Sequence, residues 1–309
     1  MITKMKNCRL GLACLLVLIP GVVLAERFQF AAIGDVPYTS AAQLDRLVER
    51  INKLPVKFTI HVGDIKSGST LCSDEVFEGV KRQFMAFEAP LIYTPGDNEW
   101  TDCHRKNNGP YDPLERLQKL RQMFFGTNLS LGRSPVELES QSQAESFREF
   151  PENRRWSTKE VIFSTIHMVG SNNNLQPELP SSSEFNLRNS ANIAWMRSTF
   201  AEARKKNLRA IVFAMQADTF YHDPRIQKSG VDEWLDAFQQ EAASWGKPVL
   251  LIQGDTHQFV ADKPLHQHHP AASNVQRIVV PGEQWADVVL IEVDTSSAAG
   301  PFLIHSATK

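Results

Sequence analysis

Short apolar runs alternate along the first part of the chain with stretches whose apolar positions recur at helical spacing. Phe28 to Ile33 is a β-rich run, and Leu44, Leu47, Val48 and Ile51 follow at i, i+3, i+4, i+7, the period of one helix face. Phe58 to Val62 predicts a second strand, Val76, Phe77, Val80, Phe84 and Phe87 line a second helix, and Leu91 to Tyr93 predicts a third strand. A βαβαβ opening implies parallel strands, because each crossover helix returns the chain to the same end of the sheet.

From Thr101 to Pro151 the pattern weakens to one helical stretch around Leu114, Leu117, Leu120 and Phe124, followed by a polar segment. It reads as an insertion or cap. Strand character returns in Val161 to Val169, Ala210 to Met215, Val249 to Ile252, Arg277 to Val280, Val288 to Val293 and Phe302 to Ile304. Helices carrying Ile193, Met196 and Phe200, then Trp234, Leu235, Phe238 and Trp245, separate some of them. The last strands follow one another without helices, so the second half is expected to add an antiparallel-rich sheet packed on the first. The class is α/β, and no internal repeat is visible.

Residues 1–25 stand apart. Lys4, Lys6 and Arg9 precede an apolar run broken by Pro20-Gly21, and Val23-Leu24-Ala25 supplies small residues suited to cleavage, the pattern of an export signal. A membrane anchor is the other reading, but the interrupted run falls short of the roughly 20 residues a span needs. The mature chain would start at Glu26 as a single domain over residues 26–309, periplasmic or secreted, with no stable membrane anchor left. Loss of three basic residues from 33, against 35 acids, leaves a mildly acidic protein with nothing to attract nucleic acid. Cys8 and Cys14 leave with the signal. Cys72 and Cys103 then remain in a compartment that permits disulfides, and a bridge between them is expected over two free thiols.

With 16 glycines and 15 aspartates, chance would place about 0.8 Gly-Asp dipeptides in the chain. It has four, Gly34-Asp35, Gly63-Asp64, Gly96-Asp97 and Gly254-Asp255, each following an apolar run. Ligands of open α/β sheets collect outside the carboxyl ends of the strands, so these aspartates can converge although far apart in sequence. The glycines let the chain turn sharply and approach closely. A single Gly-Asp needs no more than a turn whose aspartate caps the next helix. Four clustered carboxylates, with Asn98-Glu99 and His257, call for a cation among them.

In order, spacing and strand context, Gly34-Asp35-Val36-Pro37-Tyr38, Gly63-Asp64, Gly96-Asp97-Asn98-Glu99, Met215-Gln216-Ala217-Asp218 and Gly254-Asp255-Thr256-His257 resemble the motifs of the calcineurin-like metallophosphoesterases. The similarity spans most of residues 27–295, and Tyr93 to Arg105 looks like the signature of a divergent branch. The resemblance implies a β-sandwich of two packed mixed β-sheets flanked by helices, and a metal-dependent phosphoesterase acting on a small-molecule phosphomonoester or phosphodiester. It implies metal ligands at Asp35, Asp64, Asp97, Gln216, Asp255 and His257, with Asp64 shared between two ions and Tyr38 a speculative addition. Pro37 stands where the family has a histidine, Asp97 for an asparagine, Gln216 and Asp255 for histidines, and Asn98 for the catalytic histidine. Loss of nitrogen donors moves the preference from Zn or Fe to Mg²⁺, Mn²⁺ or Ca²⁺. His104 could replace the missing acid or be a surface histidine. Lys66, Glu99 and Arg105 are placed on the substrate side, with solvated loop charges the alternative for Lys66 and Arg105.

Other signals carry less. Lys66 to Thr70 lacks the glycine order of a phosphate loop, and no Gly-x-Ser-x-Gly elbow occurs. His266, His268 and His269 read as an exposed loop, and Asn172 to Asn174 as turn chemistry. The competing function is a catalytically weak exported binding protein that recognises a phosphorylated ligand through the metal site.

Overall fold

A computed structural model describes Met1 and residues 27–175, 182–266, 269–283, 287–297 and 299–306. The leader expected over residues 1–25 lies, Met1 apart, outside the described residues, as does His268. The chain opens with β1 (Phe28–Ile33), α1 (Ala41–Ile51), β2 (Val56–His61), α2 (Asp74–Phe84), β3 (Leu91–Tyr93) and α3 (Pro113–Phe124). Local chemistry sets the helix starts. The Ser73 side chain accepts from Val76 N–H ahead of acidic Asp74 and Glu75, and Asp112 accepts from Leu114 and Glu115 N–H with Pro113 in the first turn.

There follow β4 (Glu139–Ser140), β5 (Arg154–Thr158), β6 (Val161–Thr165), β7 (Ala210–Ala214), β8 (Val249–Gln253), β9 (Val260–Asp262), β10 (Val275–Val279), β11 (Val289–Val293) and β12 (Phe302–Ser306). They form two mixed sheets, ordered β12-β11-β1-β2-β3 and β4-β5-β6-β7-β8-β10-β9. The expected antiparallel-rich second sheet is not what forms. β6, β7, β8 and β10 run parallel, with antiparallel strands only at the edges. Residues 254–274 carry the chain from β8 back to β10 without a crossover helix, so the missing helical pattern did not mean a hairpin. The last two strands are antiparallel, but they extend the first sheet beside β1.

Between the sheets lie Phe30, Phe58, Ile60, Phe163, Val212, Leu250, Ile252 and Ile278, all buried. Phe30 stacks on Phe58 at 5.2 Å, and Phe163 meets both edge-on. Each such side chain contributes about 1.5–3 kcal/mol on burial. Helices α1, α2 and α3 cover the outer face of the first sheet, and helices Ser182–Lys205 and Asp232–Trp245 that of the second. Leu117, Leu120 and Phe124 of α3 thus belong to a packed layer. The turns of residues 101–108 are the part of the 101–151 segment that lies by the carboxylates. Cys72 and Cys103 form a disulfide with Cα atoms 5.8 Å apart, joining the loops after β2 and β3. No helix among the described residues is long and apolar enough to cross a membrane.

Candidate metal centre

The loops after β1, β2, β3, β6, β7 and β8 meet at one end of the sandwich. Asp255 N–H donates to Asp35 Oδ1 at 3.1 Å, and His257 Nε2 lies 3.4 Å from the same oxygen. Gln216 Nε2 donates to Asp97 Oδ1 at 3.2 Å and to Asp255 Oδ1 at 3.1 Å. Asn98 reaches Asp64 twice, through its N–H to Oδ1 at 3.2 Å and its amide nitrogen to Oδ2 at 2.7 Å. All four Gly-Asp aspartates, Gln216, Asn98 and His257 therefore share one group. One donor atom each from Asp35, Asp64 and His257 lies within 4.8 Å of the others.

The glycines do not make the turns alone. At Asp35, Asp64 and Asp255 the aspartate itself is left-handed, with φ of 54°, 58° and 74°. The glycines permit close approach. A Cβ on Gly96 would sit 2.1 Å from Asp64 Oδ1, one on Gly63 2.5 Å from Gly96 N, and one on Gly254 2.7 Å from Asp35 Oδ2. Each motif thus packs against another, which fixes the carboxylates relative to one another. His257 and the run Ser171 to Asn174 are left-handed too, and among the described residues only Lys159 and Asn207 are the non-glycine positions of this kind elsewhere. Such conformations cost about 1–3 kcal/mol and persist where the surroundings enforce them.

The Ser171 to Asn174 turn is the part that sequence reasoning set aside. Asn173 is held by Arg188, whose guanidinium donates to its side-chain and backbone oxygens, and Asn172 exchanges hydrogen bonds with Gly230 and Lys228. Gly170 N–H donates to Gln216 Oε1, and a Cβ on Gly170 would lie 2.4 Å from Asp255 Oδ1 and 2.9 Å from Asp97 Oδ2. Ser171 Oγ lies 2.7 Å from Asp97 Oδ2 and 3.0 Å from Asp102 Oδ1. The available signal was a run of Ser and Asn, residues that tolerate left-handed backbone, directly after an apolar strand.

Asp35, Asp64 and Asp97 are almost completely buried, at 0, 2 and 6% exposure. Burial first, then the charges of Asp97, Glu99 and Asp35, push the Asp64 carboxyl well above the usual range. Burial followed by Asp97 and Asp35 does the same to Asp255, and burial raises Asp35 against the lowering contact with His257. For His257, burial alone would lower the pKa, but the Asp35 hydrogen bond and charge raise it. Asp35 Oδ2 is buried without a hydrogen-bond partner. Buried, mutually repelling carboxylates with an unused oxygen suit divalent cations, and an oxygen-rich donor set suits hard ones.

The remaining predicted residues fall differently. Gln216 turns its nitrogen to the two aspartates and its oxygen to Gly170 N–H, so it braces carboxylates as a donor in this arrangement. Glu99 is fully buried, and its Oε1 accepts from Asp64 N–H, Gly96 N–H and Tyr93 O–H, which ties two loops together beneath the group. Burial raises its pKa to about 7. Lys66 is buried with Nζ on Ser67 O, and its pKa is lowered by burial. Glu99 does not open on solvent, and Lys66 keeps 1% exposure with its side chain along the cleft beside α2. Arg105 is 45% exposed and pairs with Asp102 at 2.6 Å, whereas His104 is exposed with Nδ1 bonded to Thr101 O. Tyr38 O–H donates to Asp64 Oδ2 at 2.6 Å and accepts from the Asn98 amide at 2.6 Å, with its ring edge-on to His257.

Among solved structures the chain is similar to a dimetal phosphatase from Danio rerio, with a TM-score of 0.55 and 12% identity over 91% of this chain and 99% of that one. A purple acid phosphatase from yellow lupin aligns over 91% of this chain and 54% of its own at 10% identity and a TM-score of 0.45, and a phosphatase from Mycoplasma pneumoniae over 92% and 93% at 11% and 0.45. No protein-family model and no curated protein sequence matches the chain.

Proposed function

We infer that the two mixed sheets with helices on both faces are the calcineurin-like metallophosphoesterase fold. From that premise we propose that this protein is a metal-dependent phosphoesterase that hydrolyses small phosphomonoesters or phosphodiesters outside the cytoplasm. The observation that carries the reading is the convergence of four strand-end aspartates, three of them in left-handed backbone, with one buried oxygen, Asp35 Oδ2, left without a hydrogen-bond partner. Asp35, Asp64 and His257 would hold one divalent cation, and Asp64, Asp97 and Asp255 a second, with Gln216 bracing the last two. Bound there, such ions offset the carboxylate charge and stabilise the attacking and departing oxygens of an in-line displacement at phosphorus. Mg²⁺, Mn²⁺ or Ca²⁺ is favoured over Zn or Fe by the donor set.

The chain's own groups supply the rest. Glu99 and the disulfide hold the loops after β2 and β3 in register. Arg105, half-exposed beside Asp102, is the cation best placed to meet a phosphate oxygen. Tyr38 and Asn98 form a hydrogen-bonded pair on Asp64, and either would donate to an oxygen of the ester by exchanging its present bond for one to the ester. The Asn98 amide is also what favours the second reading, a weakly catalytic binding protein, because an amide cannot deliver a proton as the family's histidine does. The leader expected from the sequence of residues 1–25 and the disulfide support placement outside the cytoplasm.

The test is a screen of metal-free mature protein against mono- and diester phosphates with Mg²⁺, Mn²⁺, Ca²⁺ and Zn²⁺, in wild type and Asn98→His. Metal-dependent release of phosphate or alcohol by wild type supports the enzyme. Ligand binding without turnover in both proteins supports the binding protein.

A further inference from the structure

We propose that the cleft between residues 37–41 and α2 receives the leaving group of the ester, and that this group is flat and apolar or aromatic. The proposal rests on the phosphoesterase reading and narrows its substrate class. The cleft encloses about 340 Å³, within the size range of small-molecule sites, and is lined by Pro37, Tyr38, Ile65, Lys66, Val76 and Val80. Tyr38 and two chain segments connect its lining to the carboxylate group. One chain segment runs from Asp35 to Pro37 and Tyr38, another from Asp64 to Ile65 and Lys66, and Tyr38 lines the cleft while its hydroxyl rests on Asp64.

Gly79 supplies the second, independent observation. It lies inside α2 and lines the same cleft. A glycine within a helix is destabilising relative to alanine, so it needs a reason in packing or in backbone angle. Gly79 has neither: its backbone is helical, and a Cβ there would meet only the Arg82 guanidinium, at an ordinary 3.8 Å. The glycines of the centre are the contrast, with clashes at 2.1 Å for Gly96 and 2.5 Å for Gly63. The missing side chain deepens the cleft, and a bound group accounts for a vacancy that the protein's own packing does not.

The wall chemistry selects the occupant. Pro37, Ala41, Ile65, Val76 and Val80 are apolar, Thr39, Ser40 and Glu75 are exposed residues of its lining, and the other polar side chains along the cleft are engaged with the protein. Gln83 Nε2 donates to Ala41 O and Asp45 Oδ1, the Thr70 hydroxyl lies against Ser67, and Lys66 Nζ donates to Ser67 O. A polar leaving group would find few partners there, whereas an aromatic ring would bury apolar surface on several sides.

The experiment compares kcat/KM for 1-naphthyl phosphate and methyl phosphate in cation-loaded wild type, Gly79→Ala and Gly79→Leu. Each variant is referred to wild type on the same ester, which cancels intrinsic reactivity. Gly79→Leu should lower kcat/KM by about tenfold or more for the naphthyl ester and by less than about twofold for methyl phosphate. Gly79→Ala should stay active while raising Tm by about 1–3 °C. Equal losses on both esters, or no loss on either, overturn the proposal. If Gly79→Leu does not fold, Val76→Trp fills the same cleft and is read by the same ratio. If wild type hydrolyses neither ester, the phosphoesterase reading fails by itself. The cleft is then judged by calorimetric binding of 1-naphthyl phosphate, which Gly79→Leu should weaken about tenfold and which an unchanged affinity would contradict.

Discussion

Gly96→Ala adds one methyl group where the loops after β2 and β3 touch. Its Cβ would lie 2.1 Å from Asp64 Oδ1 and 2.4 Å from Asp64 N, against an ordinary contact of 3.4 Å or more. The nitrogen is backbone, so rotating the Asp64 side chain relieves only half the clash, and the loops must part by roughly 1 Å. Parting them stretches the hydrogen bond from Asp64 N–H to Glu99 Oε1, which crosses between the loops, while the disulfide resists their separation. Overpacking of this kind costs about 1–3 kcal/mol, a fall in Tm of roughly 2–10 °C for a chain of this size. A displacement of about 1 Å at the reacting groups costs about 10²-fold in rate. Thermal unfolding, elemental analysis and turnover measured on one preparation should show all three losses, with cation content falling as Asp64 moves. Gly79→Ala, the same addition in open space, should move Tm the other way. Wild-type Tm and cation content in Gly96→Ala would refute the interlocking of the motifs.

Ser171→Ala removes the hydroxyl between Asp97 and Asp102 while Arg188 still holds the turn, so Mn²⁺ affinity measured by calorimetry should fall about tenfold or more with Tm nearly unchanged; an unchanged affinity would contradict a role in positioning Asp97. Burial holds the Asp64 and Asp255 carboxyls well above the ordinary aspartate range in the fold, so the metal-free fold holds their protons more tightly than the unfolded chain does. Their contribution to stability is present below about pH 4 and is lost as pH rises through the raised values. A saturating divalent cation should therefore raise Tm more at pH 8 than at pH 5, and an equal rise at both would contradict the electrostatic account. Reduction of Cys72–Cys103 removes a constraint worth about 3 to 4 kcal/mol in the chain-entropy model, and should lower Tm with loss of activity.

Much of the fold was legible because its strands are buried on both faces and read as uninterrupted apolar runs. Phe28–Ile33 and Leu91–Tyr93 fall where the pattern puts them, and the four Gly-Asp dipeptides mark the strand ends that carry the centre. Strand β5 was invisible because Arg154 and Arg155 occupy positions a pattern reader expects to be apolar. Both are buried, stacked over the rings of Phe125 and Trp195. The parallel course of β10 could not be read, because a long loop without helical period replaces the crossover helix. At the centre, the residue types of the Gly-Asp motifs were readable, but the orientation of the Gln216 amide was not, being set by Gly170 N–H from a distant turn. The Ser171 turn was missed for a related reason. Left-handed backbone in Asn and Ser looks the same in sequence whether it ends an idle loop or presents a hydroxyl to an aspartate.

The central claim is that Asp64 anchors divalent cations on which phosphate ester hydrolysis depends. The most direct measurement is cation content together with turnover of a phosphate ester in wild type and Asp64→Asn, both stripped by chelation and reloaded with Mn²⁺ or Mg²⁺. An amide there keeps the size and the hydrogen bonds to Tyr38 and Asn98 within reach but removes the anionic oxygens. The account predicts cation-dependent turnover in wild type, with cation content reduced and turnover lowered by at least about 10²-fold in Asp64→Asn. Wild-type cation content and wild-type turnover in Asp64→Asn would contradict it.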